Sequence, residues 1–547
     1  MRRLSDYSVS GPGWGASLRA LALATVVLAS GCATAPPGAN FEKSTSVALE
    51  HPEDTRFGTK FSALSRSHDG ASGFHILNVG LDGLLARVQL IDAAEKTLDL
   101  QYFIFRGDTS GRLITDALLR AADRGVRIRV LVDDGDTVAG DEQILSLNAH
   151  RDVQIRVFNP FSYRGHSTLR RALEFSLHSA RLNYRMHNKL MVVDNSVALI
   201  GGRNVGNQYF QVDPESQFAD DDVFAVGPIA AQLSSKFDEY WNSRLAIPAE
   251  ALATLRHPGS HLQEVRERAH AAPKQLSPSS KSDGIDYVAK IASGEPYQGL
   301  MSGALPLVWT AAQVVCDSPE KKRVEDGTAP GQLMADAFVD AARRTNSDFL
   351  MITPYFVPAS DELDLLKDLR QRHVHVRVVT NSMNSTRDVL AFAGYTHYRK
   401  AIVEDGVDLY EVRAQLGNGR GSGQTGGISR YGNYGLHAKV FVFDSRRIFI
   451  GSMNFDERSR HLNTEIGLFI DSPELAAQET TRFEAMAQPE NSYRVAVQPT
   501  VDDRVPHLLW RTKENGAEVE YRREPSPSLW RRLQVRFLAR LPVRDQL

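Results

Sequence analysis

Short apolar runs and amphipathic stretches alternate along the chain and divide it into two similar halves. In the first half, the pattern predicts a buried strand at 98–105, a helix at 114–122 and a strand at 126–132. The second half repeats these three elements in the same order at 349–353, 363–369 and 374–379. Strand, helix and strand in this rhythm indicate βαβ units in a largely parallel or mixed sheet. We therefore predict an α/β fold of two similar βα lobes.

One stretch of the first half has a close counterpart in the second half. Residues 185–204 read RMHNKLMVVDNSVALIGGRN, and residues 435–454 read GLHAKVFVFDSRRIFIGSMN. The shared positions, each recurring 250 residues later, are His187 with His437, Lys189 with Lys439, Asp194 with Asp444, Gly201 with Gly451, and Asn204 with Asn454. So many fixed identities inside two apolar patterns indicate a duplicated functional unit rather than two unrelated core histidines.

Each copy of this stretch is typical of a β-hairpin. In the first copy, the apolar and β-branched runs 189–193 and 197–200 are predicted strands, with a turn at 194–196. Because alternate residues of a strand share a face, His187 and Lys189 are expected to point the same way. The same reasoning applies to the second copy, so each copy presents an imidazole beside an ammonium group.

The residues that follow each predicted hairpin add a flexible backbone and an amide. Gly201 and Gly202, matched by Gly451 and Ser452, allow a tight bend and a close approach of the backbone to a ligand. The asparagine after them adds a polar side chain. An imidazole, an ammonium and an amide that converge on one spot suit a phosphoryl group, whose oxygens share negative charge.

The aspartate in each hairpin turn is interpreted as structural. Asp194 and Asp444 lie where a turn aspartate accepts hydrogen bonds from nearby backbone amides. We therefore expect neither carboxylate to take part in chemistry.

The pattern HxKxxxxDxxxxxxG(G/S)xN, present twice, resembles the motif of the phospholipase D superfamily. More narrowly, HNKLMVVDNSVALIGGRNVGNQYF and TPYFVP resemble the bacterial cardiolipin synthases of the C type. The resemblance covers most of residues 77–471 and the C-terminal tail. It implies that the two lobes are related by a pseudo-twofold axis and that both motifs build one shared active site.

The resemblance also implies roles for the motif residues. One imidazole must be neutral to attack phosphorus and the other protonated to release an alkoxide, which an acid–base pair near pH 7 supplies. By resemblance, His187 is the nucleophile of a phosphohistidine intermediate, and His437 is the general acid and then the base. The residues expected to stabilise the developing charge are Lys189, Lys439, Asn204 and Asn454. No metal and no cofactor are expected.

Two further carboxylates are predicted to orient the histidines. A histidine held in one tautomer needs an acceptor on its second ring nitrogen. By resemblance, an acidic residue downstream of each motif fills this role, and Asp222 and Glu465, each before a β-rich run, are the predicted acceptors. Asp220 or Asp221 is the alternative to Asp222, and solvated turn acids are the structural alternative for both.

The first residues of the chain are predicted to be a lipoprotein signal peptide. Arginines precede the apolar run 20–29, which is too short to span a bilayer, and the sequence LASGC resembles a lipobox that ends at Cys32. Lipid on Cys32 would anchor the mature chain in a bacterial cell envelope, facing the periplasm, with the choice of membrane open. An ordinary secretory signal is the alternative. The chain has two cysteines, so acylation leaves Cys316 without a disulfide partner.

Changes in composition along the chain suggest where its domains and linkers begin and end. After the signal peptide we predict a flexible tether, a first lobe, an inter-lobe linker or insert, a second lobe and a C-terminal extension. These six regions span residues 1–32, 33–72, 73–250, 251–325, 326–490 and 491–547. Residues 305–309 are expected to form a strand that opens the second lobe.

The C-terminal extension contains a predicted basic amphipathic helix. Its apolar positions at i, i+4 spacing and its arginine stripe are typical of a helix on an anionic bilayer surface. These positions are Leu529, Leu533, Phe537 and Leu541, with Arg532, Arg536 and Arg540. A helix docked on the body through its apolar face is the alternative. A second basic and aromatic cluster, 395–400, is interpreted either as a rim for an anionic lipid headgroup or as a surface helix.

Net charge and motifs together restrict the set of functions that this protein could have. The chain of 547 residues has a formal net charge of −2, without the basic surplus of a protein that binds nucleic acid through phosphates. We predict a phosphatidyltransferase that makes cardiolipin from phosphatidylglycerol and a second phospholipid. A phospholipase D that hydrolyses headgroups is the alternative, and a secreted nuclease fits less well. The predicted partners are phospholipid substrates and the membrane surface, without nucleic acid, and a need for an accessory protein is left open.

Overall fold

The structure is a computed structural model that describes residues 35–135, 141–165, 167–212, 216–252, 258–272, 295–415, 433–498, 507–526 and 528–540. The strands of the first lobe and its cross-lobe ladders are β1 (Ser72–Leu77), β2 (Thr97–Tyr102), β3 (Arg127–Asp133), β4 (Val153–Phe158), β5 (Arg185–Met186), β6 (Lys189–Val193), β7 (Val197–Gly201), β8 (Ser216–Ala219), β9 (Asp222–Val226), β10 (Ala246–Pro248) and β11 (Val308–Thr310). Its helices are α1 (Arg56–Ser67), α2 (Gly80–Ala93), α3 (Thr109–Asp123), α4 (Asp141–Leu147), α5 (Thr168–Leu177), α6 (Ser179–Leu182), α7 (Pro228–Trp241), α8 (Ala249–Leu252), α9 (Pro258–His270) and α10 (Glu295–Ser302).

The second lobe follows directly. Its strands are β12 (Ala312–Cys316), β13 (Asp348–Ile352), β14 (Phe356–Val357), β15 (His375–Asn381), β16 (Asp408–Val412), β17 (Asn433–Leu436), β18 (Val440–Phe443), β19 (Arg447–Gly451), β20 (Phe455–Asp456), β21 (Asn463–Thr464), β22 (Ile466–Asp471), β23 (Ser492–Val497), β24 (Leu508–Glu514) and β25 (Ala517–Tyr521). Its helices are α11 (Lys321–Glu325), α12 (Met334–Arg343), α13 (Ser360–Gln371), α14 (Val389–Tyr395), α15 (Arg399–Glu404), α16 (Glu457–His461), α17 (Pro473–Ala487) and α18 (Leu529–Leu538).

The two main sheets share one topology. Within the described residues, nine strands form the first sheet in the order β10-β4-β3-β2-β6-β7-β9-β1-β11, and ten form the second in the order β12-β22-β19-β18-β13-β15-β16-β23-β24-β25. In the first sheet β2, β3 and β4 are parallel, while β6, β7 and β9 run antiparallel to their neighbours. The second sheet repeats this arrangement with β13, β15 and β16, then β18, β19 and β22. The prediction of two similar α/β lobes is confirmed.

The hairpin turns join each motif to the parallel part of its sheet. Asp194 and Asn195 have φ angles of 49° and 50°, the left-handed conformation that a type I′ turn requires. The Asp194 carboxylate accepts hydrogen bonds of 2.8–2.9 Å from the backbone N–H groups of residues 95–97, where β2 begins. Asp444 binds the N–H groups of residues 346–348 in the same way. Both aspartates are structural, as predicted, although their amide partners lie far away in sequence.

One hydrophobic core and two short ladders join the lobes. The core includes Leu190 from the first sheet, Val440 from the second and Phe237 from α7, all fully buried. In addition, β5 pairs in parallel with β21, and β17 pairs in parallel with β8. Each ladder joins the residues just before a motif histidine to the opposite lobe. The lobes are therefore held in one fixed arrangement around the two motifs.

The structure corrects the predicted tether at 33–72. Residues Arg56–Ser67 form helix α1, and its Phe57 and Phe61 are buried in the first-lobe core. The Pro- and Gly-rich start of this region suggested flexibility, but the two phenylalanines, one helical turn apart, supply an apolar face that docks on the lobe. Cys32 and the signal peptide lie outside the described residues.

The predicted lobe boundaries are also wrong. Residues 305–309 were expected to open the second lobe, but β11 pairs with β1 at the edge of the first sheet, and β12 opens the second. The region 251–325 therefore belongs partly to each lobe instead of being a linker. Likewise, β23, β24 and β25 extend the second sheet, so the lobe does not end at 490. These pairings join edges that are distant in sequence, which local patterns do not reveal.

The C-terminal helix is present as α18, while Leu541 lies outside the described residues. Among the described helices, none has the length and apolar character needed to cross a bilayer.

Candidate active site

Each motif histidine is held by the opposite lobe. The His187 backbone N–H donates to the Thr464 carbonyl oxygen at 2.9 Å, and its Nδ1 lies 2.9 Å from Glu465 Oε2. The His437 N–H donates to the Ala219 carbonyl oxygen at 2.7 Å, and its Nδ1 lies 2.6 Å from Asp220 Oδ2. Because each Nδ1–H is directed to a carboxylate, each Nε2 is left as the free ring nitrogen. Both rings are buried, at 7% and 6% exposure.

The structure selects Asp220, not Asp222, as the carboxylate that orients His437. In the first sheet Gly201 pairs with Asp222, and in the second Gly451 pairs with Gly467. Asp222 is therefore the counterpart of Gly467, and Asp220, two residues earlier, is the counterpart of Glu465. Of the two predicted acceptors, Glu465 contacts a motif histidine, whereas Asp222 does not. Asp220, the alternative to Asp222, contacts the other histidine.

Asp222 instead belongs to a buried ion cluster within the first lobe. Its Oδ2 lies 2.8 Å from Arg87 Nη1 and 3.3 Å from Arg203 Nη1. Arg87 also donates to the Tyr102 hydroxyl. All these side chains are at most 2% exposed, so the carboxylate of Asp222 is the buried negative charge beside two guanidinium groups, and its removal would leave them without it.

The two lysines lie beside their histidines, as predicted. Lys189 Nζ donates to the His187 carbonyl oxygen, and Lys439 Nζ donates to that of His437 and lies 3.1 Å from its Nδ1. Both lysines are 1% exposed. Burial lowers the pKa of Lys189 well below its ordinary value, and burial lowers the pKa of Lys439 to about 8. Two poorly hydrated ammonium groups of this kind favour a bound anion.

The two asparagines differ in their surroundings. Asn204 is engaged at both ends, since its Oδ1 accepts from the Ile104 N–H at 3.1 Å and its Nδ2 donates to the Tyr209 hydroxyl at 3.1 Å. Asn454 is 6% exposed, and its Oδ1 has no hydrogen-bond partner among the described residues. Asn454 is therefore less constrained by the protein than Asn204.

The small residues after each hairpin approach protein atoms, not a ligand. A Cβ on Gly201 would lie 2.2 Å from the Asp221 carbonyl oxygen, and one on Gly451 would lie 2.5 Å from that of Ile466. A Cβ on Gly202 would lie 2.0 Å from Asp220 Oδ1. The sequence interpretation placed these residues against a ligand, but they make room for the neighbouring strand and for a carboxylate that orients a histidine.

Ser452, the counterpart of Gly202, has a different role. Its Oγ donates to Glu465 Oε2 at 2.5 Å, and the Ser459 Oγ donates to Oε1 at 2.9 Å. Together with His187, these hydroxyls fix the position of the Glu465 carboxyl group. The first lobe has a glycine where the second has this serine, so the two carboxyl groups are held differently.

The histidines are neutral at pH 7. Burial, together with the charges of Lys189 and Lys439, lowers the pKa of His187 well below its ordinary value. Burial and the charge of Lys439 lower the pKa of His437 to about 3, against the opposing effect of Asp220. The charges of Lys189 and Lys439, one from each lobe, lower the pKa of both histidines.

The two carboxyl groups differ in their ionisation. Burial raises the pKa of Glu465 to about 7, against the effect of the Lys189 charge. Burial also opposes ionisation of Asp220, but its contact with His437 and the charge of Lys439 hold its pKa below the ordinary value. The acceptor of His437 is therefore an anion at pH 7, whereas the acceptor of His187 is partly protonated.

Several residues around the histidines were missed by sequence reasoning. Phe218 stacks on His437 with ring centroids 5.1 Å apart, and Tyr209 contacts the same ring edge-on at 5.1 Å. Phe103 packs edge-on against His187, also at 5.1 Å. The only sequence signal is their position at the ends of β2 and β8 and in the turn after Asn204. These rings exclude water and restrict the rotation of both imidazoles.

The predicted headgroup rim at 395–400 is mainly structural. Arg399 is 4% exposed and binds Glu411 at 2.8 Å and Glu524 at 2.8 Å. The Tyr395 hydroxyl also donates to Glu411, at 2.9 Å. With both side chains buried against carboxylates, this cluster fastens the C-terminal extension to the second lobe.

We expect Gly202→Ala to lower kcat by roughly 10²-fold, because the added methyl group displaces the Asp220 carboxylate that orients His437. The matched control is Gly299→Ala in α10, where a Cβ makes ordinary contacts of 3.5 Å. Steady-state kinetics of both variants on vesicles, with melting temperatures, test this expectation. Equal kcat values for the two variants would contradict it.

Comparisons with known proteins identify the family of this chain. The family model described as "Cardiolipin synthase, PLD-like domain" matches residues 88–241 and 338–487, one match in each lobe. Cardiolipin synthase C of Escherichia coli (strain K12) is 35% identical over 89% of this chain and 99% of its own length. An uncharacterized protein of Helicobacter pylori (strain ATCC 700392 / 26695) is 28% identical over 92% of this chain and 95% of its own.

Among solved structures, the phosphatidylserine synthase of Haemophilus influenzae Rd KW20 aligns over 80% of this chain and 92% of its own, with 13% identity and a TM-score of 0.49. The family assignment rests on the sequence matches, because the family model spans more than half of the chain and the Escherichia coli relative is matched almost end to end. The chain therefore belongs to the phospholipase D-like family of cardiolipin synthases, with the duplicated phospholipase D fold.

Proposed function

We propose that this protein is a phosphatidyltransferase that makes cardiolipin from phosphatidylglycerol and a second phospholipid. One observation carries the proposal: both imidazoles have Nδ1 anchored on a carboxyl group of the opposite lobe and Nε2 free, beside two buried lysines. This arrangement suits two-step transfer of a phosphoryl group through a covalent histidine. The relative named cardiolipin synthase C supports the choice of phospholipid substrates.

In the first step, Nε2 of His187 attacks the phosphorus of phosphatidylglycerol. The P–N bond forms as the P–O bond to glycerol breaks, and His437 donates its proton to the leaving alkoxide. Lys189, Lys439 and Asn454 stabilise the charge on the equatorial oxygens. The products are phosphatidyl-His187 and free glycerol.

In the second step, the hydroxyl of another phospholipid headgroup attacks the same phosphorus. His437, now neutral, takes the hydroxyl proton, and the P–N bond to His187 breaks. When the acceptor is phosphatidylglycerol, the product is cardiolipin and the enzyme returns to its starting protonation state.

The proposed order of the histidines follows from the two carboxyl groups. An ionised Asp220 stabilises a cationic His437, which an acid needs, whereas the partly protonated Glu465 leaves His187 neutral, which a nucleophile needs. Without substrate, burial and the lysine charges hold the pKa of His437 low and keep its ring neutral. A phosphodiester anion between the lysines offsets those charges and raises the pKa of His437, so the acid forms when substrate binds.

We further propose that lipid on Cys32 anchors the chain in a bacterial envelope membrane, facing the periplasm. The basic tail helix α18 supports a position against an anionic bilayer, where phosphatidylglycerol is found. Mass spectrometry of the mature N-terminus tests the anchor, with a diacylglyceryl-modified Cys32 as the expected result and an unmodified residue as the contrary one.

The proposed reaction is tested with purified protein and vesicles that contain labelled phosphatidylglycerol. We expect labelled cardiolipin and free glycerol in equal amounts. Phosphatidic acid as the main product would instead establish the hydrolytic alternative, and cleavage of a plasmid without lipid turnover would establish a nuclease.

A further inference from the structure

Helix α5 shows its leucines to solvent. Leu169, Leu173 and Leu177 are 78%, 60% and 70% exposed, although they form one continuous stripe at i, i+4 spacing. The polar side of the helix faces the protein instead. Arg171 donates to the Asp134 carbonyl oxygen at 2.7 Å, and Glu174 accepts from the backbone N–H groups of residues 162 and 163. The amphipathic helix is therefore oriented opposite to one that covers a core.

Helix α18 has the same inverted orientation. It docks through Val535, which is 4% exposed, and through Arg531 and Arg532, which donate to backbone carbonyl oxygens of the second lobe and of the chain before the helix. Its outer face is apolar and aromatic. The exposed residues are Leu529 (72%), Trp530 (76%), Leu533 (57%) and Phe537 (64%). The alternative of a helix docked through its apolar face is therefore contradicted.

The two helices are attached at equivalent places in the two lobes. Strands β3 and β15 are counterparts, and each ends in a residue that binds the backbone just before a motif histidine. Asp133 accepts from the Met186 N–H at 2.8 Å, and Asn381 accepts from the Leu436 N–H at 2.9 Å. Helix α5 binds residue 134, next to the first anchor, and the segment before α18 binds Asn384, close to the second. Each helix is therefore attached close to the segment that leads into a motif histidine.

The charge of the two segments indicates which kind of surface the apolar faces bind. Residues 164–181 contain four arginines and one glutamate, and residues 528–540 contain four arginines and no acidic residue, in a chain of net charge −2. Of these arginines, Arg170, Arg536 and Arg540 are exposed. Exposed leucine, tryptophan and phenylalanine beside arginine are the composition of helices that lie in the interface of an anionic bilayer. Contiguous apolar patches on a water-soluble face are otherwise uncommon.

We propose that α5 and α18 form a two-helix docking surface for an anionic phospholipid bilayer, which places the side of the protein that carries His187 and His437 against the membrane. The inference deepens the proposed function and rests on it for the lipid nature of the substrate. Two attachment points on opposite lobes fix the tilt of the enzyme, which a single tail helix does not. A phosphatidyl headgroup then reaches the histidines without the lipid leaving the bilayer.

The test measures sedimentation of the full chain with vesicles, in a Cys32→Ser, His187→Gln background that removes the lipid anchor and the chemistry. We expect the parent to bind vesicles of phosphatidylglycerol and phosphatidylcholine at least about tenfold more tightly than pure phosphatidylcholine. Replacing Leu169, Leu173 and Leu177 together by serine is expected to weaken that binding by about tenfold or more. Three methionines at the same positions preserve it, because the apolar stripe remains.

The matched control is Phe41→Ser, an exposed aromatic residue (46%) far from both helices in sequence, which we expect to bind like the parent. Circular dichroism and melting temperature confirm that the serine variant is folded. Equal vesicle binding of the serine variant and the parent would overturn the proposal. So would a parent that dimerises through the leucines in solution, since the stripe would then be a protein interface. Failure of the reaction itself is detected separately, as an absence of cardiolipin with the wild-type chain.

Discussion

Replacing His187 by glutamine is expected to lower cardiolipin formation by about 10⁴-fold or more, because the covalent step loses its nucleophile. Glutamine keeps a polar side chain near Glu465, so the buried carboxyl group is not left alone. We expect the variant to fold, with a melting temperature close to that of the wild type. The control is His375→Gln, a half-exposed histidine on β15 that lies 2.8 Å from Asp408 and 3.9 Å from Asp348.

Replacing His437 by asparagine distinguishes the two histidines. If His437 is the base of the second step, this variant accumulates phosphatidyl-His187 whenever the first step proceeds, and peptide mass spectrometry detects the adduct. The reverse pattern, with an adduct on His437 in the His187→Gln chain, would contradict the proposed order. An active His187→Gln enzyme would refute covalent catalysis at this residue altogether.

The sequence was sufficient to predict the residues that lie within one local motif. His187 and Lys189 share a strand face, and their neighbours are set by a hairpin, so spacing alone defines their geometry. The second copy supplied an internal comparison, which made the duplicated topology predictable as well. The strands and helices expected at 98–132 and 349–379 are present as β2, α3, β3, β13, α13 and β15.

The choice between Asp220 and Asp222 required the register of a sheet. Three successive aspartates occupy positions 220–222, and a shift of two residues separates two different surroundings. Asp222 lies in the ion cluster of Arg87, whereas Asp220 contacts the ring of His437. Aligning the two copies on their apolar pattern, ADDDVF against TEIGLF, matches Asp220 to Glu465. The fixed offset of 250 residues does not align these two carboxylates. The segment between the motif asparagine and the carboxylate is five residues shorter in the second copy.

Contacts between distant segments could not be predicted. That each histidine is held by the opposite lobe depends on the ladders β5 with β21 and β17 with β8, which pair residues more than 200 positions apart. The sequence pattern also does not predict that the α5 leucines are exposed to solvent. Periodicity places them on one face, but only the packing of Arg171 and Glu174 shows that this face points outward.

Asp220→Asn is expected to lower kcat by about 10²- to 10⁴-fold while leaving the fold intact. The asparagine fits the same space, but its neutral amide does not stabilise a protonated His437. Since the Asp220 carboxylate raises the pKa of His437, its loss lowers that pKa further. The protonated acid then disappears at lower pH, so the alkaline limb of the kcat profile moves to lower pH.

The neighbouring variant Asp222→Asn gives the opposite pattern. It removes the negative charge that lies 2.8 Å from Arg87 and 3.3 Å from Arg203, and breaking a buried pair in this way costs about 3–5 kcal/mol of unfolding free energy. Denaturant unfolding should therefore show a large loss of stability, while enzyme that remains folded keeps the kcat pH profile of the wild type. Because both residues are aspartates and lie two positions apart in the chain, the size of the side chain does not explain a difference between them. The proposed roles would be contradicted if Asp222→Asn lowered kcat without destabilising the fold. They would also be contradicted if Asp220→Asn destabilised the fold without shifting the pH profile of kcat.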